Sequence, residues 1–165
     1  MNYDALSFEP GRAVCFSGHR FISREVLPAL RLHLSQAALD AYHQGYRYFL
    51  SGGARGFDLL AAEVVLTLKN THPSVRLIMV LPCGDQTQKW SAADRLRYQK
   101  ILAQSDQNII LSDRYYEGCM QVRNHFLVDH SEKCICYMKY CRGGTWHTVS
   151  YADKNRKIIL NLGEM

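Results

Sequence analysis

Residues 50–63 read LSGGARGFDLLAAE: an apolar run ends in three glycines and an arginine, and helical spacing then begins. Such a stretch can bind an anion. Gly52, Gly53 and Gly56 leave backbone amides bare at a helix entry, and the helix dipole adds at most ~1–2 kcal/mol of attraction for an oxyanion. Arg55 could close over a phosphate with a charge-assisted bond worth about 1.5–3 kcal/mol. Asp58 suits a different role, capping the helix through backbone amides or accepting from ribose hydroxyls. The same glycines would serve a tight strand-to-helix turn with no ligand, and the spacing is neither G-x-G-x-x-G nor a P-loop.

A second stretch, FSGHR, repeats the logic: Gly18 permits close approach, and His19 and Arg20 can donate to phosphate or to a base. A loop histidine packed on a neighbouring strand is the competing role for His19. A third, GGT at 143–145, makes another anion cradle from Gly143, Gly144 and the Thr145 hydroxyl. Arg123 and Asn124 follow a tyrosine-rich loop. Trp90, Tyr115 and Tyr116 offer rings on which a base could stack, worth about 1–3 kcal/mol, or they cover the end of a sheet. Two cradles joined by a stacking surface suit a diphosphate, or a nucleotide with a sugar phosphate.

These residues must be positioned by regular elements, and the chain supplies them in alternation. Apolar runs of strand length occur at 12–18, 46–52, 75–82, 107–113, 133–139 and 157–162. Helical spacing fills the intervals. In 24–44, Leu27, Leu30, Leu34, Ala37, Ala38 and Ala41 share a face, with Ser23 placed to cap the start and Gly45 to end the helix. Further helices are expected at 57–69, 92–105, 117–131 and 144–155. Whether Phe57, Leu59 and Val64 face the sheet or a partner is left open by alternation. Strict alternation implies parallel strands and right-handed crossovers, hence one α/β domain over 12–165: a Rossmann-like, doubly wound, mainly parallel sheet of about six strands with helices on both faces. Residues 1–11 read as a loose tail.

In such a sheet ligands bind beyond the carboxyl ends of the strands. The segments there collect Arg20, Arg55, Lys89, Arg114, Arg142 and most of the glycines, whereas the opposite edge reads as ordinary solvated connections. The 165 residues carry a formal charge of +5, with 13 arginines to 7 lysines, which favours forked recognition of anions. No apolar run approaches the ~20 residues that span a bilayer, and the first residues do not read as a signal peptide, so the expected compartment is the cytoplasm, with no membrane partner. The six cysteines are scattered and expected to be reduced. Cys134, Cys136 and Cys141 match no zinc spacing, so no metal is expected.

The SGGARGFDLLAAE stretch is similar to the Ser-Gly-x-Ala-Arg-Gly-Ile-Asp segment of the DprA/Smf proteins, matching at Ser51, Gly52, Ala54, Arg55, Gly56 and Asp58. The segment from Met120 through Arg123, Asn124, Ser131 and Glu132 to Gly143 and Gly144 resembles a motif of the LOG ("lysine decarboxylase-like") enzymes. Both groups belong to the SLOG superfamily, within which the chain looks most like the YpsA-like family, over roughly residues 12–162. The resemblance implies a Rossmann-like domain binding a nucleotide or nucleotide-derived, ADP-ribose-like ligand at the glycine-rich edge. LOG enzymes cleave the base from a nucleoside monophosphate and end their motif in Gly-Gly-x-Gly-Thr and a glutamate. Here RGGTWHTVSYA has neither the second Gly-Thr nor a carboxylate.

Ligand binding therefore ranks first. A phosphoribohydrolase using Arg123, with Glu63 as substitute carboxylate, ranks second. Single-stranded DNA binding in the manner of DprA ranks third, supported by the basic rim but without an extended Lys/Arg track. A homo-oligomer is compatible with all three.

Overall fold

The computed structural model describes residues 7–165. Six parallel strands form one sheet: β1 (Ala13–Gly18), β2 (Tyr48–Ser51), β3 (Arg76–Leu81), β4 (Gln107–Ile110), β5 (Lys133–Tyr137) and β6 (Ile158–Asn161). Five helices connect them: α1 (Leu27–His43), α2 (Phe57–Thr71), α3 (Ala92–Gln104), α4 (Cys119–Asp129) and α5 (Gly143–Lys154). The expected alternation is what forms. Strand order is β4-β3-β2-β1-β5-β6, so the chain winds outward from β1 to β4, then returns to lay β5 against the other side of β1. The order reverses between β1 and β5, and at that switch the loops after these two adjacent strands leave toward opposite faces of the sheet and open a crevice.

Each face of the sheet has its own core. Phe16, Phe49 and Phe57 pack with α1, α2 and one side of α3 on one face, while Cys15, Leu50, Cys134 and Cys136 pack with α4 and α5 on the other. Phe57, Leu59 and Val64 are all buried in the first core, so these side chains pack inside the chain and do not await a partner.

Three local details differ from the sequence expectation. Ser23 caps nothing with its side chain; α1 starts later, with Val26 as its cap, and Ser23 instead accepts from the Val26 and Leu27 amides through its carbonyl, both at 3.2 Å. Gly45 does end the helix, at φ +102°. β4 ends at Ile110 rather than 113, and its residues alternate between half-buried and exposed at the sheet edge. Of the expected tail, residues 1–6 lie outside the described residues, and Phe8 is buried against Tyr48, with ring centroids 5.8 Å apart.

Candidate functional site

A cleft of about 380 Å³ opens at the carboxyl ends of β1 and β5. One wall is the segment 17–21 that leaves β1; the other is Tyr140 and the start of α5; Asp58, Arg123 and Asn124 complete it. Sequence neighbours supply none of this convergence. It follows from the register, in which Gly18 pairs with Tyr137 at the last rung of the β1–β5 ladder.

His19 anchors the first wall. Its Nε2 accepts from the Lys139 amide at 2.9 Å, and burial lowers its pKa, which keeps the ring in the neutral state an acceptor requires. Its face stacks on Tyr140 at 4.1 Å and 11°, and the Arg142 guanidinium lies 5.2 Å from the Tyr140 ring centroid. His19 and Tyr140 therefore meet where the two walls join, with Arg142 over the Tyr140 ring.

The start of α5 is the opening in the second wall. A Cβ added at Gly143 or Gly144 would meet nothing within 4 Å, the cap residue Arg142 gives no side-chain bond, and the first turn contains no acidic residue. Thr148 Oγ1 donates to the Gly144 carbonyl at 2.9 Å, and Thr145 is buried beside it. A helix start with these properties presents N–H donors and a partial positive charge to whatever enters.

Arg123 and Asp58 make the floor, at 3% and 6% exposure. Arg123 donates through Nη1 to the Gly52 carbonyl and through Nε to Asn124 Oδ1 at 2.8 Å, while its Nη2 meets the Met120 sulfur at 3.8 Å, a weak acceptor. Burial lowers the Arg123 pKa, and Asp58 offsets part of that effect. Asp58 Oδ2 accepts from the Ala54 amide at 3.3 Å; burial raises its pKa to about 6 against the opposing charge of Arg123. The floor thus holds a forked cation with donor capacity left and a carboxyl whose pKa is raised to about 6.

The glycine-rich turn is occupied by the protein itself. A Cβ at Gly52 would stand 2.6 Å from Arg123 Nη1. Gly53, at φ +69°, lies against Leu81 and Tyr98, and its amide donates to Ser51 Oγ at 3.3 Å. Gly56, at φ +79°, leaves room for the Arg20 carbonyl, and the Phe57 amide donates to the His19 carbonyl at 3.1 Å. Gly18 likewise gives way to the Phe57 ring. These bare positions let the β1 loop, α2 and Arg123 approach one another.

Other expected residues lie apart. Arg55 stands over Trp90, 5.4 Å from its ring centroid, and Trp90 packs edge-on against Tyr98, so neither lines the β1–β5 cleft. Glu63 pairs with Arg97 of α3, Nε to Oε1 at 2.8 Å, along a neighbouring cleft. Tyr115 and Tyr116 are exposed beyond β4. Conversely, Tyr140 and Phe21 were not singled out from the sequence although both line the cleft; their position directly after β5 and β1 was the available signal. Among the described residues no three His, Cys, Asp or Glu side chains converge as a metal would need, and no helix is long and apolar enough to cross a membrane.

Comparison with known proteins places this geometry in context. The sequence model of the YspA SLOG family matches residues 23–157. A UPF0398 protein of Halalkalibacterium halodurans is 38% identical over 99 residues, covering 59% of this chain and 52% of that protein, so this chain spans about half of its length. The SPbeta prophage-derived protein YoqJ of Bacillus subtilis is 31% identical, covering 64% of this chain and 69% of that protein. Among solved structures, DNA processing protein A (DprA) of Helicobacter pylori, described for its single-stranded DNA binding mode, superposes with a TM-score of 0.64 at 20% identity, over 93% of this chain and 65% of that one. DprA of Streptococcus pneumoniae gives the same TM-score at 17% identity, over 92% and 50%.

Proposed function

The chain belongs to the YspA SLOG family, and from that premise we propose that it binds a nucleotide or nucleotide-derived ligand of the ADP-ribose kind in the β1–β5 cleft. The observation that carries this reading is the open start of α5 lining the same cleft as Arg123, whose Nη2 meets only the weak Met120 sulfur acceptor. Phosphate oxygens fit between the Gly143–Thr145 amides and Arg123; a base or ribose fits beside Tyr140 and Arg142, with one face of the Tyr140 ring held by His19. Asp58 accepts from a ribose hydroxyl. Calorimetric titration with ADP-ribose, NAD and AMP tests the reading. Micromolar affinity, about −8 kcal/mol, is expected for one of them, and no heat from any would sink it.

A second reading, single-stranded DNA binding, is favoured by the likeness to the H. pylori DprA fold and by Arg20 and Arg142 lining the cleft. An oligothymidylate titrated over a range of salt separates the two: affinity falling steeply with salt marks a strand that neutralises many charges, a shallow slope marks a small ligand.

A further inference from the structure

The β1–β5 cleft has a neighbour that the reading above leaves unused. On the other side of the Arg20–Phe21 segment, between α1, the start of α2 and α3, a cleft of about 630 Å³ opens to solvent. Ile22 and Leu27, both half-buried, give it a small apolar surface above the buried Leu60, and Arg31, Arg55 and Arg97 stand around them. With Arg20, four guanidinium groups face two carboxylates, Glu63 and Asp94, so the cleft keeps an excess of positive charge. Arg97 is engaged by Glu63, and Arg55 stands over Trp90. An apolar patch ringed by forked cations accommodates a flat heterocycle and an attached phosphate.

The two clefts share a wall. Arg20 and Phe21 line both. Gly56 receives the Arg20 carbonyl, and the Phe57 amide donates to the His19 carbonyl, which clamps the segment to the start of α2. The Phe21 ring is 82% exposed on this clamped ridge. Arg20 is close enough to act electrostatically on both Asp58 and Arg123, so its charge reaches the floor of the first cleft while its side chain also borders the second.

From this juxtaposition we propose that the two clefts bind one ligand of two nucleotide units, the first in the β1–β5 cleft and the second on the Ile22–Leu27 surface. The linking phosphate passes Arg20, and Phe21 stacks at the step between the bases. The proposal rests on the nucleotide reading of the first cleft and extends it to the size of the ligand. A free dinucleotide and a segment of a longer single strand offer the same chemistry.

Titrations with AMP, the 5′-phosphorylated dinucleotide pApA, and an oligodeoxyadenylate of about ten nucleotides test it. The dinucleotide is expected to bind at least about tenfold more tightly than AMP, the scale of one further charge-assisted hydrogen bond or stacked base. Arg31→Ala and Phe21→Ala, both at exposed positions, should bring that ratio back toward one. A further gain with the longer strand identifies a strand as the source, and a plateau at two units identifies a free dinucleotide; both support the proposal. Equal affinity for AMP and pApA overturns it while leaving the nucleotide reading intact. Binding of neither overturns it, and the nucleotide reading then falls only if ADP-ribose and NAD also give no heat.

Discussion

Gly52 and Arg123, 71 positions apart in sequence, form one unit: the arginine donates to the glycine carbonyl and fills the space a Cβ would need. The glycine that begins the conspicuous turn is thus the socket for the cation of another helix. Gly52→Ala should push the guanidinium aside and destabilise the protein by ~1–3 kcal/mol, the usual cost of overpacking, and weaken any ligand held by Arg123. Denaturation and titration of one variant measure both. Unchanged stability would mean that Arg123 has room elsewhere.

Gly144 predicts the opposite pattern. Its Cβ position is open, and alanine in a helix is favoured over glycine by roughly 0.5–1 kcal/mol. Gly144→Ala should therefore keep or raise the thermal midpoint while reducing affinity for ADP-ribose, because the added methyl stands where the anion approaches. Undiminished affinity would remove the start of α5 from the site.

Asp58 makes stability depend on pH. Its carboxyl is lifted from 3.8 to about 6, so the folded state holds the proton more tightly than the unfolded chain. The resulting stabilisation is complete below the unfolded pKa and is lost as pH rises through about 6, a change of roughly 3 kcal/mol at most. Urea denaturation between about pH 4 and pH 7 should show this loss in the native protein, and Asp58→Asn, which can still accept from Ala54, should flatten it. Parallel slopes in the two proteins would refute the shift. Incubation of both with AMP, followed by chromatography for free adenine, asks whether this carboxyl supports base release; adenine formed by the native protein but not by Asp58→Asn would favour the hydrolase alternative.

The cysteines offer a third kind of probe. Five of the six are buried and Cys141 is exposed, between Tyr140 and Arg142 at the edge of the cleft. Burial pushes the Cys83 thiol up to about 12. Under native conditions one thiol should react rapidly with a disulfide reagent and the other five only on unfolding. A ligand seated beside Tyr140 should slow that one reaction. Rapid labelling of several thiols would contradict the burial.

The sequence by itself determined the alternating elements, the parallel sheet and the edge at which a site could form. Those properties depend on local periodicity and on chain connectivity, and both are present in the order of residues. It also marked Gly143, Gly144 and Thr145, because a bare helix start is a local feature. The tertiary structure alone decided what the other glycines do. Gly18, Gly52 and Gly56 have the same composition as an anion cradle, yet each is filled by a neighbour from a distant segment: Phe57, Arg123 and Arg20. Whether a bare backbone meets a ligand or another part of the chain is a question of three-dimensional packing, to which spacing along the chain is blind. The same holds for Arg55, Trp90 and Glu63, which lie outside the β1–β5 cleft: Arg55 stands over Trp90, and Glu63 pairs with Arg97 of α3.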